Sequence, residues 1–367
     1  MNLYLFLFPI ISCASFLKEN YEVIQGIYHI MLKIESVNLI NYMEIDLSIG
    51  FLWISDLNFE EEDLVSTSLI STETVQLSNG IMYLAKLLKG RVTLDFNAIS
   101  MTDFYMYYLK REEYKIYDSV GLAFHVDNPK YSFIHQLYNH RYIDKLLFAF
   151  VPNKRFYNSG EIFYGGLPEE KIKDKYITHC SVSDHWGCSL QGMKIGNKLY
   201  EFNEKYIHFE TQYQKIFLHK NIFDIIVKNY LNEYIQKQQC YMNNERYFCT
   251  CSYIDSFSNM SFILDEHEFI FTAHELFEQE GLNCYFIIQE NTKTYYDIFG
   301  TYFLRKYITI FDYENKTISF YDDEPFTEQN SNKGDGSIIV KMVYLFISIS
   351  LLINTIIILY INKKYIY

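Results

Sequence analysis

A carboxylate carried in a tight turn at the end of a strand can accept or donate a proton, and Asp46 is placed that way. The segment Tyr42-Met43-Glu44-Ile45-Asp46-Leu47-Ser48-Ile49-Gly50-Phe51-Leu52-Trp53-Ile54 reads as a strand, a turn holding the acid, and then Leu52-Trp53-Ile54. Other chemistry-bearing residues offer less. His274-Glu275-Leu276-Phe277-Glu278 lacks the second histidine of a zinc helix, and His267 and His274 fall in strand-like sequence, where helical ligand spacing does not apply. Cys249-Thr250-Cys251 lacks the spacing of a redox pair. No glycine-rich phosphate loop, nucleotide motif or Ser-His-Asp order is present, so neither metal nor cofactor is expected.

The elements that must position Asp46 are mostly strands. After a short polar lead-in from Phe16 to Gly26, apolar and polar residues alternate from Ile27 to Ile54, as half-buried strands do. Gln76 to Phe96 alternates around Gly80 and Gly90, which predicts a hairpin. Phe133 to Leu147 has helical spacing. Tyr176 to Gly196 reads as a hairpin with Trp186 at its turn. Ile207 to Tyr230 holds a strand and then an amphipathic helix over Ile222 to Leu231. Cys251 to Leu276 alternates again, and Tyr302 to Tyr321 predicts a last hairpin turning near Glu314-Asn315-Lys316. Many short strands, few helices and glycine turns make an all-β protein.

The two ends differ from this body. Met1 to Ile11 is apolar and precedes Ser12-Cys13-Ala14-Ser15, which predicts a signal peptide over 1–15. Phe326 to Gly336 is rich in Asn, Ser and Gly and predicts a stalk over 326–341. Residues 342–361 carry no charge and are long enough to span a bilayer. Lys363-Lys364 follow in a tail over 362–367, and the positive-inside rule then puts the bulk of the chain on the lumenal or extracellular side. The expected localisation is the secretory pathway or cell surface, as a single-pass type I membrane protein. The net charge of −13 argues against nucleic acid as a partner. Once Cys13 leaves with the signal peptide, Cys180, Cys188, Cys240, Cys249, Cys251 and Cys284 remain, an even set that implies disulfides in an exported chain. Asn259 and Asn315 head N-glycosylation acceptor triplets.

From Tyr28 to Tyr321 the chain resembles the pepsin-like aspartic peptidases. Asp46 followed by Leu52-Trp53-Ile54 is similar to their first catalytic turn, although Leu47-Ser48 stands where the family has Thr-Gly. Tyr83 resembles the flap tyrosine, with Asp95 in the strand after the flap. Val120-Gly121-Leu122-Ala123-Phe124, Gly160-Glu161-Ile162-Phe163-Tyr164-Gly165-Gly166, His185-Trp186 with Met193, and Phe299-Gly300-Thr301-Tyr302-Phe303-Leu304-Arg305 resemble later landmarks in the family's order. The resemblance implies two β-lobes, over 16–165 and 166–325, with a deep cleft that takes an extended polypeptide under the flap. It also implies a disulfide between Cys251 and Cys284. Pairing Cys240 with Cys249 and Cys180 with Cys188 across hairpins is favoured beside it. Within His208-Phe209-Glu210-Thr211-Gln212-Tyr213 the second catalytic carboxylate would be Glu210, with Thr211 kept and Gln212 in place of glycine.

That chemistry needs two carboxylates sharing one proton, because like charges about 3 Å apart cannot both ionise; pepsin is the standard example. Glu210 is one methylene longer than Asp, and Leu47 has no hydroxyl to bond across to the other turn. Tyr83-Leu84-Ala85-Lys86 replaces a glycine-containing lid. The dozen or so residues between Ser15 and Tyr28 are too few for the inhibitory pro-segment such zymogens carry. The expectation is a membrane-anchored peptidase homologue that binds peptide without cleaving it, with Tyr83, Trp53 and Thr211 as binding residues. One alternative is a tethered acid endopeptidase using Asp46 and Glu210. Another is a structural surface protein whose cleft is closed by side chains such as Phe51 and Tyr213.

Overall fold

The computed structural model describes residues 16–322 apart from 35–38, 57–66, 77–81, 95–98, 111–117, 126–127, 154–155, 157 and 293. They belong to one compact unit ending at Asp323. The signal peptide, Asp95, Gly80, the stalk and residues 342–361 all lie outside the described residues. Among those described, no helix is long and apolar enough to cross a membrane.

The architecture is mostly β. Among the described residues a 13-stranded sheet, a seven-stranded sheet and a four-stranded sheet form the body. The largest runs through both halves of the chain: strand Leu147–Pro152 pairs with Ser159–Tyr164 on one side and with Ile308–Asp312 on the other. Strand Ile27–Ile34 shows why these segments form strands. Every second side chain, Tyr28, Ile30, Leu32 and Ile34, is buried, while those between are partly exposed.

Several boundaries differ from the sequence expectations, each for a nameable reason. The lead-in is itself a strand, Leu17–Ile24, because it fills the place between Ser159–Tyr164 and Ile27–Ile34. The hairpin expected from Gln76 starts earlier, pairing Ser68–Gln76 with Met82–Leu94, and Gly90 sits inside the second strand at a bulge instead of in a turn. The helix from Phe133 stops at Asn139, and Arg141 takes a positive φ that turns the chain out of it. Strands Tyr176–Ser181 and Gly187–Ile195 do not form a hairpin. The first pairs with Thr317–Tyr321 and the second with Lys198–Phe209 and Met260–Leu264. The helix expected over Ile222 to Leu231 belongs to a longer run: Lys220–Ile226, a wider π turn over Val227–Leu231, and Asn232–Gln236. Tyr302 falls in the short helix Thr301–Leu304, so the last hairpin is Ile308–Asp312 with Thr317–Tyr321. Likewise His274 lies in the helix Ala273–Leu276, started by a Thr272 and Glu275 capping box, and not in a strand.

Three disulfides close the second half of the chain: Cys180–Cys188, Cys240–Cys249 and Cys251–Cys284. Cys240 and Cys249 stand opposite each other in the hairpin Cys240–Asn243 with Arg246–Thr250. Cys180–Cys188 instead clips strands belonging to different sheets.

Candidate functional site

Two similar strand arrangements build the site. In the first, Leu39–Asp46 leads into the turn 47–51 and out along Leu52–Asp56, and strand Ser119–Gly121 is inserted between them, parallel to the first and antiparallel to the second. In the second, Lys198–Phe209 leads into the turn 210–215 and out along Ile216–Leu218, with Asp297–Phe299 inserted in the same way. Gly121 stands opposite Asp46 in the register, and Gly300 stands one step beyond the Phe209–Phe299 pair, opposite Glu210. Both positions need glycine. A Cβ at Gly121 would come within 2.5 Å of the Ile49 carbonyl oxygen, and one at Gly300 within 2.2 Å of the Tyr213 carbonyl oxygen. The repeat makes Glu210 the topological counterpart of Asp46, independently of any sequence alignment.

The two carboxyls are both buried but held differently. Asp46 Oδ1 accepts hydrogen bonds from the Ser48 backbone N–H at 2.7 Å and the Ser48 hydroxyl at 2.5 Å. One serine therefore supplies two donors that suit a carboxylate. Glu210 has its backbone N–H bonded to the Phe299 carbonyl, while among the described residues no donor reaches its carboxyl. Burial first, and then the Asp46 charge, pushes its proton affinity well above the ordinary carboxylate range. Burial first, and then the Glu210 and Asp46 charges, raise the Tyr213 and Tyr296 hydroxyls.

Between the turns, Thr211 Oγ1 donates to the Ile45 carbonyl at 2.5 Å. The mirror-image bond is missing: Leu47 is buried in the apolar core instead. Replacing Thr211 by Val should leave the buried Ile45 carbonyl without this donor and cost about 1–3 kcal/mol of stability. Urea unfolding checks this, and Thr211→Ser, which keeps the hydroxyl, should avoid most of the loss.

Two residues at the site were not anticipated. Glu44 and Asp46 lie two apart on one strand and so on one face. Glu44 is 5 % exposed, and its Oε1 is 3.8 Å from His29 Nε2. Burial first, and then the Asp46 charge, pushes the Glu44 carboxyl up to about 7, with the Gln212 side chain acting in the opposite direction. His208 has the matching place before Glu210. It is stacked on Tyr296 at 3.9 Å and faces His185 at 4.9 Å, and burial and then His185 hold it down to about 4. The period-2 pattern of both strands carried this signal, since each residue sits two before its acid.

The remaining expected site residues are placed as follows. Trp53 is fully buried and meets the Tyr83 ring edge-on at 6.3 Å. Tyr83 faces Val75 across the Ser68–Gln76 hairpin, and Leu84 beside it is largely exposed. Phe51 packs on Tyr107 at 4.6 Å, and Tyr213 on Phe217 at 5.4 Å. The one cluster of potential metal ligands among the described residues is Cys180, Cys188 and Asp265, and its two sulfurs are joined to each other.

Comparison with known proteins adds to this geometry. A family model for eukaryotic aspartyl protease matches residues 76–322. The match begins beyond Asp46, so the first turn rests on topology. The crystal structure of an aspartic proteinase from Irpex lacteus superposes with a TM-score of 0.67 at 16% identity, over 87% of this chain and 100% of that one. No curated protein sequence matches significantly.

Proposed function

We propose, from the premise that this chain belongs to the eukaryotic aspartyl protease family, that it holds an extended polypeptide between its lobes and does not cleave it. The observation that carries this reading is the asymmetry of the two turns. Asp46 keeps its donors and Glu210 has none among the described residues. One cross-lobe hydroxyl, Thr211, is present where a symmetric pair would have two. Peptide hydrolysis needs both carboxyls fixed around one water, and a misplacement of about 1 Å can cost a hundredfold in rate. The longer Glu210 side chain, lacking donors to orient it, does not meet that demand. Binding asks for less, since main-chain pairing with a strand edge and side-chain pockets suffice. The expected lobes are 16–165 and 166–325. The uncharged run 342–361 supports a membrane anchor that keeps them on the lumenal or extracellular side.

A second reading has its own support. A proton-holding Glu210 beside an Asp46 supplied with donors is the division between acid and base that aspartic peptidases use. Incubating the full chain with an unfolded protein from pH 3 to 7, beside Asp46→Asn, separates the two readings. The expected result is no cleavage by either protein. Cleavage that disappears in Asp46→Asn would replace the first reading with the second.

A further inference from the structure

The four-stranded sheet gathers cysteines that neither reading uses. Its strands lie in the order Cys240–Asn243, Arg246–Thr250, Asn283–Phe286 and Phe277–Glu280. Cys240 stands opposite Cys249, and Cys249 stands opposite Cys284. Residues directly opposite in antiparallel strands share a face and hold their Cβ atoms about 4.5–5.5 Å apart. Three cysteines therefore form one row across three neighbouring strands, with Cys249 in the middle. Cys249 is bonded to Cys240, while Cys284 is bonded to Cys251, outside the row. Cys249-Thr250-Cys251 has no redox spacing along the chain, so the row exists only in the folded sheet. Cys240, Cys249 and Cys284 are buried, and Cys251 is partly exposed. Cys251 opens the short helix Cys251–Ser256, and its N–H bonds the carbonyl of Leu282, a largely exposed residue at a hairpin tip. A small thiol arriving from solvent thus meets Cys251 first.

We propose that this row is a thiol–disulfide relay whose co-substrate is a dithiol: reduction enters at Cys251, moves the crosslink to Cys249–Cys284 and emerges as a thiol at Cys240. In the first step a thiolate of the dithiol attacks the Cys251 sulfur. The Cys251–Cys284 bond breaks, and its electron pair leaves on Cys284 as a thiolate. The second thiol of the dithiol resolves the mixed disulfide, so Cys251 becomes a thiol and the dithiol becomes a disulfide. The Cys284 thiolate then attacks the Cys249 sulfur. A Cys249–Cys284 bond forms, the Cys240–Cys249 bond breaks, and the Cys240 thiolate takes the proton given up by the dithiol. Exchange needs the attacking, central and leaving sulfurs in line, and the row sets Cys284, Cys249 and Cys240 in that order. Held beside its target, the freed thiolate reacts as a neighbour and not as a solute. The exchange unclips Cys251–Ser256 and keeps the strands Arg246–Thr250 and Asn283–Phe286 joined. The second of these carries Tyr285, whose ring centroid lies 4.4 Å from Lys215 Nζ at the end of the second turn. The relay is independent of whether the cleft cuts a peptide or only holds it.

The folded, oxidised full chain tests the relay when it is treated with one equivalent of dithiothreitol at mildly alkaline pH. After an acid quench, free thiols are alkylated and the crosslinked peptides are mapped by mass spectrometry. The expected result is alkylation of Cys240 and Cys251 in similar amounts, a new peptide pair joining Cys249 to Cys284, and an intact Cys180–Cys188 crosslink. Cys251→Ser isolates the internal step, because it leaves Cys284 as a thiol with no reductant added. In that variant roughly a tenth or more of the alkylation should appear at Cys240 instead of Cys284. Alkylation confined to Cys251 and Cys284 in the wild type, or to Cys284 in the variant, overturns the proposal. So does a wild type in which no cysteine is reduced, or in which Cys240 and Cys249 are reduced while Cys251–Cys284 persists. Alkylation of Cys180 and Cys188 to the same extent would mean general scrambling and would overturn it too. If Cys251→Ser does not fold, the wild-type map decides alone.

Discussion

Changing Leu47 to Thr, Glu210 to Asp and Gln212 to Gly together should create acid-pH cleavage of an unfolded protein, about a hundredfold or more above the wild-type level. Each change repairs a defect seen at the two turns. Thr at 47 can return the cross-lobe hydroxyl bond that Thr211 now makes alone. Asp at 210 withdraws the carboxyl by one methylene toward the position that Asp46 occupies in the first turn. Gly at 212 removes the Gln side chain two residues after Glu210 and opens the backbone there to a closer approach. Ser48 is deliberately left in place. It supplies both donors to Asp46, and its φ lies outside the left-handed region that would call for glycine. The measurement is release of peptides from an unfolded substrate between pH 3 and 5, with Asp46→Asn added as the control. Activity that depends on Asp46 would show that the fold and the cleft are competent and that the turns alone silence the wild type. A triple variant that folds and remains inactive would move the cause to the lid, where Tyr83-Leu84-Ala85-Lys86 continues a regular strand from Met82 to Leu94.

How much of this was legible in the sequence depends on the range of the interaction concerned. The strand Tyr42 to Asp46 and the residues Leu52-Trp53-Ile54 were readable because alternation and turn chemistry are local. Glu210 was readable only through a resemblance, and the inserted strand Asp297–Phe299 is what places it. That pairing joins residues far apart in the chain, and no short pattern reports it. The lead-in shows the same limit. Leu17–Ile24 looks polar because its outward residues are Lys18, Asn20 and Glu22, and it becomes a strand because two long-range partners await it. Tyr176 to Gly196 misled in the opposite direction: two strand-like runs around a turn suggest a hairpin, yet each strand found a better partner elsewhere. Glu44 and His208 were in plain sight, two residues before each acid. Alternation alone does not mark them as site residues, because a charged residue in alternating sequence ordinarily points to water and burial is a property of the assembled sheets.

Trp186 shows what those long-range contacts are worth, and replacing it by Leu should cost about 3–5 kcal/mol, close to the whole effect of deleting a large aromatic core side chain. The ring is 1 % exposed. It sits among Phe124, Phe148, Phe311 and Tyr313, with ring centroids 4.9 to 5.8 Å away. These partners come from widely separated segments, including the strands Leu147–Pro152 and Ile308–Asp312 that pair in the largest sheet. Its indole Nε1 donates to the Leu122 carbonyl at 2.6 Å, and the Tyr313 hydroxyl donates to the same oxygen at 2.9 Å. Leu122 N–H in turn bonds the Asp46 carbonyl, so the indole is two hydrogen bonds from the candidate site. A leucine fills part of the volume and offers no N–H, which leaves a void and one oxygen with a single donor. Trp186→Phe keeps an aromatic six-membered ring and loses the pyrrole part with its N–H, so it should cost less than Trp186→Leu, about 1–3 kcal/mol. Urea unfolding of the two variants reads both values. Equal losses would assign the stability to the Leu122 hydrogen bond. A loss below about 1 kcal/mol in Trp186→Leu would mean that the surrounding aromatic rings close the gap unaided.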